Sequence, residues 1–235
     1  FDYDRDGLLD MYLVNNSSRP VSSFGLTNTR NVRNKLGGHK LFHNDGNGHF
    51  TDVSEKAGIF GSEVAFGLGV GISDVNKDGW PDIYVSNDFF ERDYLYINNH
   101  DGTFTEELPR EMPYSSYFSM GLDIGDLNND GWPDIYTTDM LPEDEYRLRT
   151  TSAFERWEAY QTKLKNGYHH QFMRNMLQLN NGNGTFSDIG QMAGVARTDW
   201  SWSALLADYD LDGKKDIFVT NGLARDVTSQ DYIAF

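Results

Sequence analysis

The sequence has no cysteine and no long hydrophobic run. Without cysteine, the 235-residue chain forms no disulfide and no thiolate metal site, so a bound metal would depend on oxygen or imidazole ligands. No apolar stretch approaches the roughly 20 residues that a helix needs to cross a bilayer. The sequence therefore predicts neither a disulfide scaffold nor a transmembrane segment.

Basic residues are also scarce. Lys and Arg number 20 against 36 Asp and Glu, which gives a formal charge of −16. Because nucleic-acid binding needs a clustered basic surface, this balance predicts no nucleic-acid partner. Hydrophobic residues make up 38% of the chain and 23 glycines accompany many Asn and Asp, a composition that excludes a disordered chain and favours a β protein with frequent tight turns.

One nine-residue acidic pattern occurs four times, at residues 2–10, 74–82, 126–134 and 208–216, here called loops 1 to 4. Positions 1, 3, 5 and 9 carry a carboxylate or amide oxygen in every copy, and position 6 is always Gly. A run of β-forming residues follows each loop. Turn propensity explains one such loop but not four in the same register, so the pattern indicates a repeated site.

The alternating oxygens of each loop predict a Ca²⁺ site, to which the carbonyl at position 7 adds a ligand. Up to four ions are expected. The predicted ligands are Asp2, Asp4, Asp6, Leu8 and Asp10 in loop 1, Asp74, Asn76, Asp78, Trp80 and Asp82 in loop 2, Asp126, Asn128, Asp130, Trp132 and Asp134 in loop 3, and Asp208, Asp210, Asp212, Lys214 and Asp216 in loop 4. The loops hold 14 of the 36 acidic residues, and such crowding is repulsive without a cation.

Two other metal interpretations fit less well. An EF-hand requires a bidentate Glu at position 12 and a following helix. Position 12 is instead Leu13, Val85, Thr137 or Val219, each within a β-type run. Magnesium demands strict octahedral geometry and keeps its waters, whereas these loops offer five or more flexible oxygens.

The loops belong to a repeating β unit. Apolar residues alternate upstream of three loops, as from Phe66 to Ile72 with small residues between them, which predicts strands packed closely near an axis. Asn- and Gly-rich hairpins recur at 41–50, 95–104 and 177–186,. Hairpin, inner strand, loop and outgoing strand together suggest a four-stranded blade, so the sequence predicts an all-β fold, a fragment of a β-propeller.

We divide residues 1–235 into an incomplete blade at 1–16, blade units at 41–90, 95–139 and 177–222, and insertions at 17–40 and 140–174. The second insertion is expected to contain a helix over residues 153–165, with Ser152 and Glu155 as a capping box. Both insertions are expected on one rim. Because a closed propeller needs more blades, we expect further blades of the same chain.

These motifs resemble the FG-GAP or VCBS repeat proteins, whose blades form the integrin α-chain type of propeller. The hairpin at 180–188 followed by Ala193-Gly-Val195 is similar to the subgroup of cartilage acidic protein and the ASPIC/UnbV-type bacterial proteins. The Phe-Gly signature is intact at Phe66-Gly67 but replaced at Phe118-Ser119 and Trp200-Ser201. The resemblance implies a seven-bladed or similar propeller with calcium in its loops, used for adhesion or ligand binding in a secreted or surface-exposed protein.

The sequence shows no clear catalytic constellation, and we expect no enzyme. His169 and His170 are adjacent, but neighbouring side chains usually point apart. The acidic run 143–145 is typical of a solvated approach to a helix, and Trp157, Trp200 and Trp202 are more typical of core than of sugar stacking.

The predicted function is therefore an extracellular or cell-surface calcium-binding module, periplasmic or outer-membrane-associated in a Gram-negative source. Its partner would be a protein or a glycan. The alternative is the propeller domain of a carbohydrate-active enzyme such as a polysaccharide lyase.

Overall fold

The computed structural model describes residues 1–17, 19–20, 23–25, 27–152, 155–223 and 229. Most of its regular structure is β. The strands are β1 (Met11–Leu13), β2 (Lys40–Gly46), β3 (His49–Asp52), β4 (Gly67–Ser73), β5 (Asp82–Asn87), β6 (Tyr94–Asn98), β7 (Phe104–Glu106), β8 (Ser115–Ser116), β9 (Leu122–Gly125), β10 (Asp134–Thr137), β11 (Met140–Leu141), β12 (Gln171–Phe172), β13 (Met176–Asn180), β14 (Phe186–Asp188), β15 (Asp199–Ala207) and β16 (Asp216–Asn221). The helices are α1 (Leu108–Glu111), α2 (Glu145–Thr151) and α3 (Trp157–Lys165).

The strands form four antiparallel sheets in chain order. Sheet I contains β1, β2 and β3, and sheet II contains β4 to β7. Sheet III has the order β9-β10-β13-β14, and sheet IV has the order β11-β15-β16. A separate parallel pair joins β8 to β12. The prediction of an all-β protein is confirmed at this level.

Each hairpin pairs differently from the grouping that the sequence suggested. The β6–β7 hairpin hydrogen-bonds to β5, the strand that leaves loop 2, with Ile83 opposite Tyr96. It was grouped with the inner strand that follows it, β9, which lies in sheet III. Antiparallel strands joined by a short connection pair readily, and alternation within a strand marks its faces without naming its partners.

Strands β4, β9 and β15 each precede an acidic loop, and β9 lies against both of the others, which belong to the neighbouring sheets. Glycine permits this approach. A Cβ at Gly121 would lie 2.6 Å from the carbonyl oxygen of Trp202, and one at Gly69 would lie 3.1 Å from that of Met120. The small residues between the apolar ones therefore accommodate neighbouring backbone, as predicted.

The hydrophobic core lies between successive sheets. Strand β5 shows this most clearly, because Ile83 and Val85 pack towards sheet I while Tyr84 packs towards sheet III. A third cluster joins Leu177 of sheet III to Leu206 of sheet IV. The sheets are therefore stacked face to face, and burial of both faces of β5 and β6 accounts for their almost continuous apolar runs,.

Both insertions leave the sheets at the end opposite the acidic loops, and they contact each other. The Asn28 side-chain amide donates to the Gly167 carbonyl oxygen at 3.1 Å, and the Tyr168 hydroxyl donates to the Thr27 carbonyl oxygen at 3.2 Å. Arg30 of the first insertion pairs with the buried Glu91 at 2.6 Å. The basic residue Arg30 thus serves an internal ion pair.

The helix expected over 153–165 begins later than predicted. It is α3, which starts at Trp157, whereas Ala153 lies outside the described residues. The expected capping box is wrong: Ser152 ends α2 in an extended conformation, and Glu155 pairs with Lys163 instead. The preceding helix α2 has the better cap, because the Asp144 carboxylate accepts the Arg147 backbone N–H,.

One buried asparagine in each of two hairpins joins consecutive acidic loops. The Asn98 amide donates to the Tyr3 carbonyl oxygen of loop 1 at 2.9 Å and to the Pro81 carbonyl oxygen of loop 2 at 3.2 Å. Asn180 makes the equivalent bonds to Val75 at 2.9 Å and Pro133 at 3.2 Å. The same side chain therefore holds both the loop of its own sheet and the loop of the preceding sheet.

We predict that Asn98→Ala lowers the free energy of unfolding by about 2 to 3 kcal/mol, because it leaves buried carbonyl oxygens of two loops without a donor. Urea denaturation measures the change. Asn99→Ala is the matched control, since the Asn99 amide bonds Thr103 within its own exposed hairpin, and it should alter stability by less than about 0.5 kcal/mol. Equal effects from the two variants would show that the interloop bonds contribute nothing.

Candidate metal centres in the acidic loops

The four acidic loops share one backbone conformation. Position 4 is left-handed in each, with φ of 60° at Arg5, 59° at Lys77, 58° at Asn129 and 63° at Leu211. The position-6 glycines have φ between 89° and 91°, a backbone region that residues other than glycine rarely occupy. The invariant glycine is therefore required by the turn itself.

Backbone N–H groups orient the carboxylates within each loop. In loop 2 the Gly79 N–H donates to Asp74 Oδ2 at 2.7 Å, and the Trp80 N–H donates to Asp78 Oδ1 at 2.8 Å. Equivalent bonds recur in loops 1, 3 and 4. Positions 1 and 5 are thus held in fixed directions by the chain that carries them.

The carboxylate at position 9 has a structural role beyond the predicted one. Asp82 Oδ2 accepts the Val75 N–H at 3.0 Å, and its Oδ1 accepts the Asn98 N–H of the hairpin at 2.9 Å. Asp10 and Asp134 do the same in loops 1 and 3. Since each carboxylate oxygen has a second lone pair, this bonding is compatible with metal binding.

The carboxylates of loops 1 and 4 converge closely enough to share a cation. One oxygen from each of Asp2, Asp4 and Asp10 lies within 4.8 Å of the others. Loop 4 has the same arrangement at positions 1, 3 and 9. Asp2 Oδ1 is buried and has no hydrogen-bond partner among the described residues. An orphaned, buried carboxylate oxygen of this kind is suited to a hard cation.

The electrostatics of the loops point the same way. Burial, with smaller contributions from the nearby charges of Asp78 and Asp74, raises the pKa of Asp82 to about 6. Burial also raises the pKa of Asp4, with a contribution from the Asp6 carboxylate. A divalent cation would relieve both the desolvation and the like-charge repulsion. The donor set therefore fits Ca²⁺, which would be held by the side chains at positions 1, 3, 5 and 9.

Histidines near two loops are groups that the sequence reasoning missed. His43 Nδ1 lies 3.3 Å from Asp4 Oδ2 and 3.4 Å from Asp10 Oδ1. His100 Nε2 hydrogen-bonds Oδ2 of Asp78, a residue of loop 2, at 2.8 Å. Both histidines lie in the hairpin that pairs with the strand after the loop, so only the correct sheet pairing would have revealed them.

The loops lie side by side at one end of the sheets. The Arg5 guanidinium of loop 1 lies 4.6 Å from the ring centroid of Trp80 in loop 2, and Lys77 Nζ lies 5.0 Å from that of Trp132 in loop 3. The Asn129 side chain donates to the Gly213 carbonyl oxygen of loop 4 at 2.9 Å. Position 4 of each of loops 1 to 3 thus contacts the next loop.

The two adjacent histidines serve different partners. His169 Nε2 hydrogen-bonds the Met112 carbonyl oxygen at 3.1 Å, and burial lowers the pKa of His169 to about 4. His170 Nδ1 hydrogen-bonds the Tyr160 hydroxyl at 2.6 Å.

Trp202 was expected to be core, but it is 56% exposed on sheet IV. None of the helices in the described part of the chain combines the length and apolar character needed to cross a membrane.

Stacked β-sheets with matching acidic loops define the class of protein, a repeat protein of blade-like β units. The model of the FG-GAP-like repeat matches residues 2–85, 74–137 and 168–219. The chain belongs to this family, and the resemblance inferred from the acidic loops is confirmed. The repeats are integrin α-like, because integrin α chains are among the curated relatives that the chain matches.

Human integrin alpha-6 is 35% identical over 86 residues, which is 32% of this chain and 8% of that protein. Human integrin alpha-7 is 40% identical over 81 residues, 30% of this chain and 7% of that protein. Mouse integrin alpha-3 is 32% identical over 97 residues, 36% of this chain and 9% of that protein. The match therefore spans less than a tenth of the length of these relatives.

Among solved structures, an Agrocybe aegerita lectin described as recognising non-reducing terminal N-acetylglucosamine overlaps 89% of this chain and 46% of its own chain. The sequence identity is 16% and the TM-score is 0.31. A similarity at this level supports no inference about fold or ligand.

We predict that Asp74→Ala lowers the number of bound Ca²⁺ ions by one, because it removes the carboxylate on which loop 2 is built. Isothermal titration calorimetry of the metal-stripped chain measures the stoichiometry. Asp101→Ala is the matched control: it removes the same charge from an exposed hairpin and should leave the stoichiometry unchanged. An unchanged stoichiometry in Asp74→Ala would exclude loop 2 as a calcium site.

Proposed function

We propose that residues 1–235 form part of a β-propeller whose acidic loops bind up to four Ca²⁺ ions and which acts outside the cell as a ligand-binding or adhesion module. The observation that carries this proposal is the shared geometry of the four loops. All four hold the carboxylates at positions 1 and 5 with the same pattern of N–H donors, and in loops 1 and 4 three carboxylate oxygens lie within 4.8 Å of one another. Four bound ions would reduce the formal charge from −16 to −8.

The stacking of the sheets supports the propeller. Each sheet is taken as one blade, with the mutually contacting strands β4, β9 and β15 nearest the axis,. Sheet IV buries Ala204 and Leu206 against sheet III, whereas Leu205 and Phe218 on its other face are each 51% exposed. Met11 and Leu13 of sheet I are also exposed. We propose that further blades of the same chain pack on these faces.

Calcium would act structurally in this design. The position-9 carboxylates already join each of loops 1 to 3 to its hairpin, and the position-4 side chains join each loop to the next. A cation held by positions 1, 3, 5, 7 and 9 would fix the remaining carboxylates and remove their repulsion. Ions in adjacent loops would therefore stabilise the contacts between sheets.

The placement of the insertions supports a recognition role. They project together from the end opposite the loops, so a ligand surface there need not compete with the metals. Because the matched relatives are integrin α chains, we propose an extracellular or cell-surface location, or a periplasmic or outer-membrane-associated one in a Gram-negative source. Modest calcium affinity would suit these calcium-rich compartments. The partner would be a protein or a glycan presented at a surface.

We predict that EGTA lowers the melting temperature of the calcium-loaded chain by at least about 5 °C, because a site saturated at about 100 times its Kd contributes about 2.7 kcal/mol. Differential scanning calorimetry measures the shift. Excess Ca²⁺ should restore the original value, while Mg²⁺ at the same concentration should not. An unchanged melting temperature after metal removal would contradict the structural role.

We also predict that the 235-residue chain self-associates through sheet IV, and that the double variant Leu205→Lys with Phe218→Lys prevents it. Leu205 and Phe218 are paired across β15 and β16, so two charges would oppose burial of that face. Light scattering after size exclusion measures the mass at increasing concentration. Met192→Lys is the control, since Met192 is 83% exposed outside these sheets. Equal masses for the double variant and the parent chain would contradict a buried blade face.

A further inference from the structure

A concave site lies in the second insertion, away from the acidic loops. It is a cavity of about 630 Å³ between α3 and the segment around β12, a volume typical of small-ligand sites. Its principal lining residues are Tyr117, Glu155, Trp157, Tyr160, His170 and Phe172. Nothing in the metal chemistry of the loops uses these side chains.

One wall of the cavity is a continuous row of aromatic rings. Trp157 and Tyr160 stack with centroids 5.5 Å apart and planes 29° apart, and Tyr160 and Phe172 lie 6.2 Å apart at 32°. Trp157 is 68% exposed and Phe172 is 37% exposed. Because the rings contact one another, no gap separates them, and the exposed Trp157 ring offers a surface against which a ring-shaped ligand can lie,. A cage around a cation would require rings that face one another across a gap.

Hydrogen-bonding groups stand at the edge of this wall. The Tyr160 hydroxyl and His170 Nδ1 share one hydrogen bond of 2.6 Å. If the hydroxyl donates, the ring carries its proton on Nε2; if the ring donates, the hydroxyl hydrogen is available. Either arrangement leaves a donor beside the aromatic faces, and the Gln161 amide also lines the cavity.

The charges of the cavity are already compensated. Lys163 is 1% exposed, its Nζ lies 3.0 Å from Glu155 Oε1, and it sits 4.1 Å from the ring centroid of Tyr117. Glu155 therefore has a buried cationic partner. An ionic ligand would find no unpaired charge here to form an ion pair with, whereas a neutral polar ligand does not need one.

We propose that this cavity binds a neutral sugar, with one pyranose face stacked on Trp157 and its hydroxyls bonded to the Tyr160–His170 pair and Gln161. A pyranose combines an apolar face with a polar edge, which matches the wall and its rim. The inference rests on the proposed function only in one respect: the sugar would be the ligand of the proposed ligand-binding module. It does not require calcium in the loops.

The test follows the Trp157 indole N–H by two-dimensional NMR of the 235-residue chain, with the peak assigned by its loss in Trp157→Phe. Cellobiose, maltose and lactose are titrated separately. We expect saturable shifts of this peak with at least one disaccharide, with a Kd on the order of 1 mM. Trp157→Ala should weaken binding by about tenfold, followed on the other shifted resonances, while Trp157→Phe should keep most of the affinity.

Trp202→Ala is the matched control, since Trp202 is exposed on sheet IV, and it should leave the sugar affinity unchanged. The proposal is overturned if none of the three sugars shifts the Trp157 peak, or if p-cresol shifts it and the sugars do not, which would indicate a site for an aromatic side chain. Calcium-dependent melting of the parent chain, measured beside its sugar titrations, distinguishes the two hypotheses. If that dependence persists while sugar binding is absent, only the sugar site fails; if sugar binds and calcium has no effect, only the calcium role fails.

Discussion

The position-9 carboxylate is the group on which much of the arrangement depends. In loops 1 to 3 it accepts one N–H from its own loop and another from the hairpin of its sheet. A buried carboxylate that accepts two backbone N–H bonds fixes both segments at once, and replacing it would leave those donors unsatisfied. The loop is therefore an integral part of its sheet, and its own backbone N–H groups orient the carboxylates at positions 1 and 5.

Asn98 and Asn180 extend this order from one sheet to the next. Each amide bonds a carbonyl of its own loop and one of the preceding loop, while the apolar clusters fill the space between the same sheets. Burial supplies the non-directional attraction, and the amide bonds set the register. The result is a stack in which the geometry of the acidic loops and the packing of the sheets are coupled.

Much of the fold and site was predictable from local chemistry. Four loops with oxygen at alternate positions and glycine at position 6 predict their own shape, because the left-handed turn at Gly79 admits little else. The alternation from Phe66 to Ile72 predicted a strand, and its small residues predicted close backbone. Strand partners were harder to predict from the sequence, and the hairpin containing Asn98 was assigned to the wrong neighbouring strand. For the same reason the sequence did not reveal that His43 and His100 lie beside acidic loops.

The sequence by itself determined the repeated loop, the β class and the family, because these depend on residue types at fixed short spacings. Only the tertiary structure decided which hairpin completes which sheet and that the basic Arg30 forms an ion pair with Glu91. It also decided which side chains surround one cavity, namely Trp157, Tyr160, His170 and Phe172. These are contacts between segments distant in the chain or differently oriented in space. Periodicity constrains the face on which a side chain lies, but not what meets that face.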